Sequence, residues 1–191
     1  MVEKDGSGLI VKAPDIGQVV HGALPSDVAK GQYWSYPFNR RTGRQYFAWE
    51  VFDAQHNRLL TVEVTRKASV ADAKAKASYV RRELADDHTR EGRQVVDTGP
   101  IAEIARLADD CVSFRISRKK AARAIPGSDG NEYSMSGQYL YCRFKNINMV
   151  VDWEGFNYSR LWALDAGTGL DGATAERDVE RIARAIVTAL R

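Results

Sequence analysis

Two stretches decide the fold, Asn57-Arg58-Leu59-Leu60-Thr61-Val62-Glu63 and Asn148-Met149-Val150-Val151-Asp152-Trp153-Glu154, which match position by position. A strand opened by a Gln-Tyr pair precedes each of them. Gln45-Tyr46 leads into Phe47, Trp49 and Val51 on one face, and Gln138-Tyr139 leads into Leu140, Cys142 and Phe144 on one face. From the Gln of the pair to the Asn is 12 residues in the first copy and 10 in the second. A difference of two preserves the alternation of faces, whereas a difference of one turns a whole strand inside out. Both stretches therefore read as hairpins that bury equivalent positions, Leu60 matching Val151 and Val62 matching Trp153.

Working outward, each hairpin is followed by an amphipathic helix. The first starts at Ser69 with Asp72 completing a capping box, and carries Ala73, Ala77, Val80 and Leu84 on one face. The second is read as capped by Thr174 and carries Val179, Ile182, Ala183, Ile186 and Leu190 on one face. The expected fold is α+β: an antiparallel sheet packed with helices, built from two pseudo-repeated ββα units, each helix on the same side of its hairpin. Between the copies, Val95-Val96 and Val112 to Ile116 read as strands and Ile101 to Leu107 as a short helix. Lys119 to Gly137, with Pro126-Gly127 and Asp129-Gly130, reads as a long loop. Residues 1–40 lack clear periodicity and read as a lead-in ending in an edge element, which leaves 41–191 as a single domain.

The 191 residues suit one domain, and a composition 44% hydrophobic and 28% charged is that of a folded globular chain. A net charge of +3 is too mild for the concentrated basic face of a dedicated nucleic-acid binder, so no nucleic acid is expected as partner. No apolar run approaches the ~18–20 residues of a membrane span, and Met1 to Gly8 is too polar for a signal peptide.

The chemistry-bearing residues show no recognisable catalytic machinery. His21, His56 and His88 lie far apart and read as surface residues; no metal site and no cofactor is expected. There is no nucleophile elbow, P-loop or dinucleotide fingerprint, and Gly167-Thr168-Gly169 reads as a flexible loop. Asp152 and Glu154 share a strand face and read as solvated carboxylates. Arg40-Arg41-Arg44 and Arg118-Lys119-Lys120-Arg123 read as solvated basic loops, with phosphate contact the sharper alternative. Trp49 and Trp153 fall on the core phase. Cys111 falls on the polar phase of its strand and Cys142 on the apolar phase of its own, and cysteines on opposite faces of a regular sheet cannot bond. Two outcomes stay open: a disulfide where the chain bulges near Asp110, or two free thiols.

A binding surface is suggested by the face opposite the apolar one, which carries Tyr139, Tyr141, Arg143 and Lys145 beside Val150, Asp152 and Glu154, with Tyr46, Ala48, Glu50 and Phe52 on the first hairpin. Tyr and Arg are enriched at interface hot spots. The candidate site residues are Tyr139, Tyr141, Arg143 and Asp152, forming a shallow exposed patch. The competing expectation is that Trp34 and Tyr36 of the N-terminal segment lie across this face.

The run Tyr139-Leu140-Tyr141-Cys142-Arg143-Phe144-Lys145-Asn146-Ile147-Asn148-Met149-Val150-Val151-Asp152, followed by a terminal amphipathic helix, resembles actinobacterial envelope lipoproteins and extracytoplasmic sensor domains of the PsbP-like type. The resemblance covers residues 45–191. It implies a PsbP-like α/β sandwich, extracytoplasmic placement on an N-terminal membrane anchor that this chain does not carry, and a non-enzymatic ligand- or protein-binding, sensor-like role. Its partner would be an unidentified protein or a small envelope ligand. A cytoplasmic protein-interaction module of the same fold is the alternative, with an enzyme of unrecognised type behind it.

Overall fold

The computed structural model describes residues 9–10, 15–24, 32–52, 55–85, 90–91, 94–98, 102–121, 132–158 and 167–191. In chain order these form α1 (Ile16–Ala23), β1 (Gln32–Asn39), β2 (Arg44–Phe52), β3 (His56–Arg66), α2 (Val70–Ala85), β4 (Arg90–Glu91), β5 (Gln94–Thr98), β6 (Ala102–Glu103), β7 (Asp110–Ala121), β8 (Glu132–Phe144), β9 (Ile147–Asn157), β10 (Thr168–Gly169) and α3 (Gly172–Leu190). The strands make one sheet in the order β1-β2-β3-β9-β8-β7-β5-β4, with β10 on β9 and β6 on β7, and every neighbouring pair is antiparallel. The chain is thus α+β, an antiparallel sheet packed with helices.

Period-two alternation splits the central strands between two covered faces. One face presents Phe47, Trp49, Leu60, Val62, Val64, Leu140, Cys142, Met149, Val151 and Trp153 to α1 and α3, whose Val179, Ile182, Ala183 and Ile186 close the main core. The Trp49 and Trp153 rings meet there at 5.8 Å between centroids. Each indole removes on the order of 150–250 Å² from water, about 4–6 kcal/mol of transfer free energy. The other face presents Val112, Tyr139, Tyr141 and Val150 to Ala77 and Val80 of α2.

Both expected hairpins form, β2 with β3 and β8 with β9. Phe52 pairs with Asn57 and Arg143 with Asn148, five residues apart in both hairpins, so the two-residue difference in spacing lies in the strands: Gln45 pairs with Val64 but Gln138 with Trp153. Strands β3 and β9 lie side by side, with Leu60 opposite Trp153 and Val62 opposite Val151. The helices do not follow. α2 crosses to the face opposite α3 and rests on β8 and β9 rather than on its own hairpin, so the expectation of both helices on one side is corrected. The reason is in the apolar residues of β7 and β8: Val112 and Tyr141 need cover on the second face, and α2 supplies it.

Other readings change as well. Within residues 1–40, Ile10, Ile16, Val20 and Ala23 join the main core, more order than the lead-in reading gives them, while the edge element forms as expected, β1 on β2. The register of β1 shifts between Tyr36 and Asn39, at Pro37, which has no N–H to donate to a ladder. Trp34 and Tyr36 sit in that edge strand, opposite Ala48 and Tyr46, not across the sheet. Residues 102–103 form strand β6, and the turn after it places Arg106 at φ 69° where a helix was expected. The arms of the β7–β8 hairpin extend to Ala121 and Glu132, so both ends of the supposed loop are strand; Pro126-Gly127 and Asp129-Gly130 lie outside the described residues. Gly167-Thr168-Gly169 contributes β10, and α3 is capped by Asp171, whose carboxylate accepts the Thr174 N–H at 2.9 Å. At α2 Ser69 caps the helix as expected, its Oγ accepting the Asp72 N–H at 3.0 Å while its hydroxyl donates to the Asp72 carboxylate at 2.7 Å.

Cys111 and Cys142 are disulfide-bonded, with Cα atoms 4.2 Å apart. They stand directly opposite in the β7–β8 register, on one face and with no bulge. The parity argument fails at a specific point: the apolar phase of β7 faces α2, so its other phase, Cys111 and Ser113, faces the main core, and both are buried.

Candidate functional site

Strand β2 contributes Arg44, β3 contributes Glu63 and Thr65, β9 contributes Asn148 and Val150, and β8 contributes Tyr141 to the sheet face that carries α2. The register sets them in two adjacent rows, Arg44–Thr65–Asn148 and Glu63–Val150–Tyr141. With Lys67, just past the end of β3, and Lys76 of α2, these residues line a cavity of about 170 Å³. It exists because α2 presents Ala73 and Ala77 downward and sits over β8 and β9, leaving the part of the floor over β2 and β3 open.

The electrostatics of the cavity are uneven. Arg44 pairs with Glu63, and Thr65 Oγ donates to the same carboxylate at 3.0 Å. Lys67 and Lys76 have no carboxylate partner among the described residues, although the Lys76 ammonium lies 4.4 Å from the centre of the Tyr79 ring. Two cations paired to no acid therefore border the space. Below them, Tyr141 and Asn148 are 3% and 5% exposed, and neither the tyrosine hydroxyl nor either polar atom of the asparagine side chain finds a hydrogen-bond partner in the described chain. Burial pushes the Tyr141 pKa well above the ordinary tyrosine value, with nearby Asp110 adding to the shift, so the hydroxyl keeps its proton and remains a donor.

The four residues singled out from the sequence do share one face but do not form an exposed patch. Tyr141 is buried under α2. Arg143 is buried too, held by Asp109 Oδ2 at 2.9 Å and by the Lys145 carbonyl at 3.2 Å, where it braces the turn between β8 and β9. Tyr139 is half-buried and stacked on Phe114 at 4.9 Å. Asp152 is not solvated either: Arg118 reaches it at 2.7 Å and Glu154 at 3.1 Å, and Glu154 is only 1% exposed. Arg118 therefore belongs to a buried charge cluster on β7 and β9, not to a basic loop. Of the other basic cluster, Arg40 and Arg41 are exposed in the β1–β2 turn and Arg44 reaches the cavity.

Of the cavity lining, the sequence reading of the face includes Tyr141 and Val150 but not Glu63, Thr65, Lys67, Lys76 or Asn148. Their signal was present in the strand phase: Glu63, Thr65, Asn148 and Val150 alternate on the same face as Tyr141. His21 is exposed and His56 half-buried, His88 lies outside the described residues, and among the described residues no three His, Cys, Asp or Glu side chains gather as metal ligands. No described helix is long and apolar enough to cross a membrane. Compared with known proteins, the chain matches no family model, no curated protein and no solved structure.

Proposed function

We propose that this chain is a non-enzymatic, sensor-like ligand-binding domain of the bacterial cell envelope, and that the cavity beneath α2 is its binding site. One observation carries the reading: two buried polar side chains, Tyr141 and Asn148, line the cavity without partners among the described residues. Leaving such a group unpaired costs about 1–3 kcal/mol, and folds bear that cost mostly where a ligand or water completes the bonding. The volume suits about six to eight heavy atoms, by comparison with the ~150 Å³ cavity that takes benzene. Thermal denaturation in the presence of a panel of such compounds, grouped as anionic, neutral and cationic, tests it. At least one class should raise Tm and be recovered chemically unchanged; a panel that leaves Tm where it was refutes the reading.

The envelope placement draws support from the Cys111–Cys142 bridge, since disulfides persist in oxidising compartments. It carries with it the membrane anchor and PsbP-like kinship that the sequence resemblance implies. Thiol trapping in the native cells is the check, because free thiols at both positions favour the cytoplasmic interaction module instead. We infer as well that the hairpins β2–β3 and β8–β9 descend from one duplicated unit. A two-fold axis through the Thr61–Asp152 pair exchanges the matched residues Leu60 with Val151 and Val62 with Trp153. The opposed helices restrict that repeat to the hairpins. An experimental structure in which β2–β3 fails to superpose on β8–β9 removes it.

A further inference from the structure

Four residues with donor groups line the cavity, and one carboxylate that lines it is already taken. We propose that its ligand is a small organic anion whose carboxylate is held by Lys67, Lys76, Tyr141 and Asn148. The inference rests on the ligand-binding reading of the same cavity and names the chemistry it selects. Arg44, Lys67 and Lys76 set against Glu63 leave an excess of positive charge at the site. Arg44 neutralises Glu63, and Thr65 supplies a further hydrogen bond to that carboxylate, so Glu63 is not left to take a cationic ligand. The tyrosine hydroxyl and asparagine amide are donors that match carboxylate oxygens, and charge-assisted hydrogen bonds of this kind are roughly twice as strong as neutral ones. Val150 and the Tyr141 ring form an apolar wall beside them, which accommodates a short carbon chain and makes an inorganic ion the poorer fit.

The test is an isosteric series of probes on the full chain, followed by ¹H–¹⁵N NMR: butyrate, butyramide, butylammonium and inorganic phosphate. Butyrate is expected to shift the Asn148 side-chain amide and the backbone signals around Lys67 and Lys76 in a saturable manner. The affinity should fall as salt is raised. The double variant Lys67→Met/Lys76→Met keeps the apolar stems of both side chains, and should weaken butyrate binding about tenfold or more with the rest of the spectrum unchanged. Asn148→Leu should weaken it independently. If butyramide or butylammonium binds as tightly as butyrate, or if phosphate alone binds, the assignment of an organic anion is overturned while the site stands. If no probe moves the Asn148 amide and the earlier panel also leaves Tm unaltered, the ligand-binding reading itself fails.

Discussion

Removing the disulfide gives the sharpest test of how this fold is held. The bridge joins residues 31 apart and lies at the end of the β7–β8 ladder far from its connecting segment, so it encloses the whole hairpin. Cross-linking restricts the denatured chain, and the loop-closure relation gives about 3.7 kcal/mol for a loop of this length at 25 °C. The same end is tied by Arg143 to Asp109 and by Arg81 to Asp110, and the ladder pairs twelve positions, so the native hairpin does not depend on the bridge for its geometry. Cys111→Ala/Cys142→Ala should therefore fold to the same structure with stability lower by about 3–4 kcal/mol, plus a smaller packing loss for two buried sulfurs. Guanidinium denaturation of the wild type, oxidised and reduced, and of the variant separates these contributions: the reduced wild type loses the constraint but keeps the sulfurs. The denaturant slope should rise once the unfolded chain is free to expand. A loss below about 1 kcal/mol on reduction refutes the entropic account.

Arg118→Met removes the guanidinium that reaches both Asp152 and Glu154, and should cost about 3–5 kcal/mol in chemical denaturation; a loss below about 1 kcal/mol would show the cluster to be solvated. Gly137→Ala should destabilise by about 1–3 kcal/mol, because the added Cβ runs into the backbone carbonyl of Trp153, which no side-chain rotation relieves. Asp171 is held below the ordinary carboxylate range by the backbone N–H and then the hydroxyl of Thr174. Its capping contribution is present above the ordinary value and lost as pH falls through the lowered one, so Asp171→Ala should flatten the acid limb of the Tm profile. Tyr139 and Tyr141 are both pushed upward chiefly by burial, from an ordinary 10.0. Stability from keeping them neutral is complete below that pH and drains as pH rises above it. Tyrosinate absorbance should thus show two tyrosines ionising only as the protein unfolds, and a full titration with the fold intact would contradict their burial.

Much of the central architecture was legible because it rests on parity and capping. The spacing from Gln45 to Asn57 and from Gln138 to Asn148 located both hairpins, and the Ser69–Asp72 box located α2. What escaped did so for definable reasons. Helix α1 spans eight residues and contains Gly17 and Gly22, too short and too glycine-rich for periodicity to reveal it; its stability comes from packing on α3 and β2. The disulfide needs no bulge, because the parity argument against a regular pairing holds only for a sheet with a single buried face. In a sheet covered on both sides the apolar phase of one strand and that of its neighbour need not coincide: Val112 faces α2 while Leu140 faces α3. The candidate patch failed for the same reason, since Tyr141 and Arg143 were placed on an open face that α2 and Asp109 in fact close.

The three-layer arrangement also explains why a cavity forms where it does. Strand β9 runs between two other long strands, β3 and β8, so the sheet surface above it is broad. A helix seated by alanine side chains approaches closely but covers a narrow strip, and Arg81 pulls α2 toward Glu103 and Asp110, away from β2. The strip left bare is therefore on the β2–β3 side, where the strand phase places Arg44, Glu63 and Thr65. Apolar residues at those positions would leave an exposed hydrophobic patch, whereas charged ones keep the strip hydrated and open. The narrow helix, its lateral tether and the polar phase of β3 together make a pocket at this one edge, and Tyr141 and Asn148 are buried at its base because β8 and β9 pass under both helix and opening.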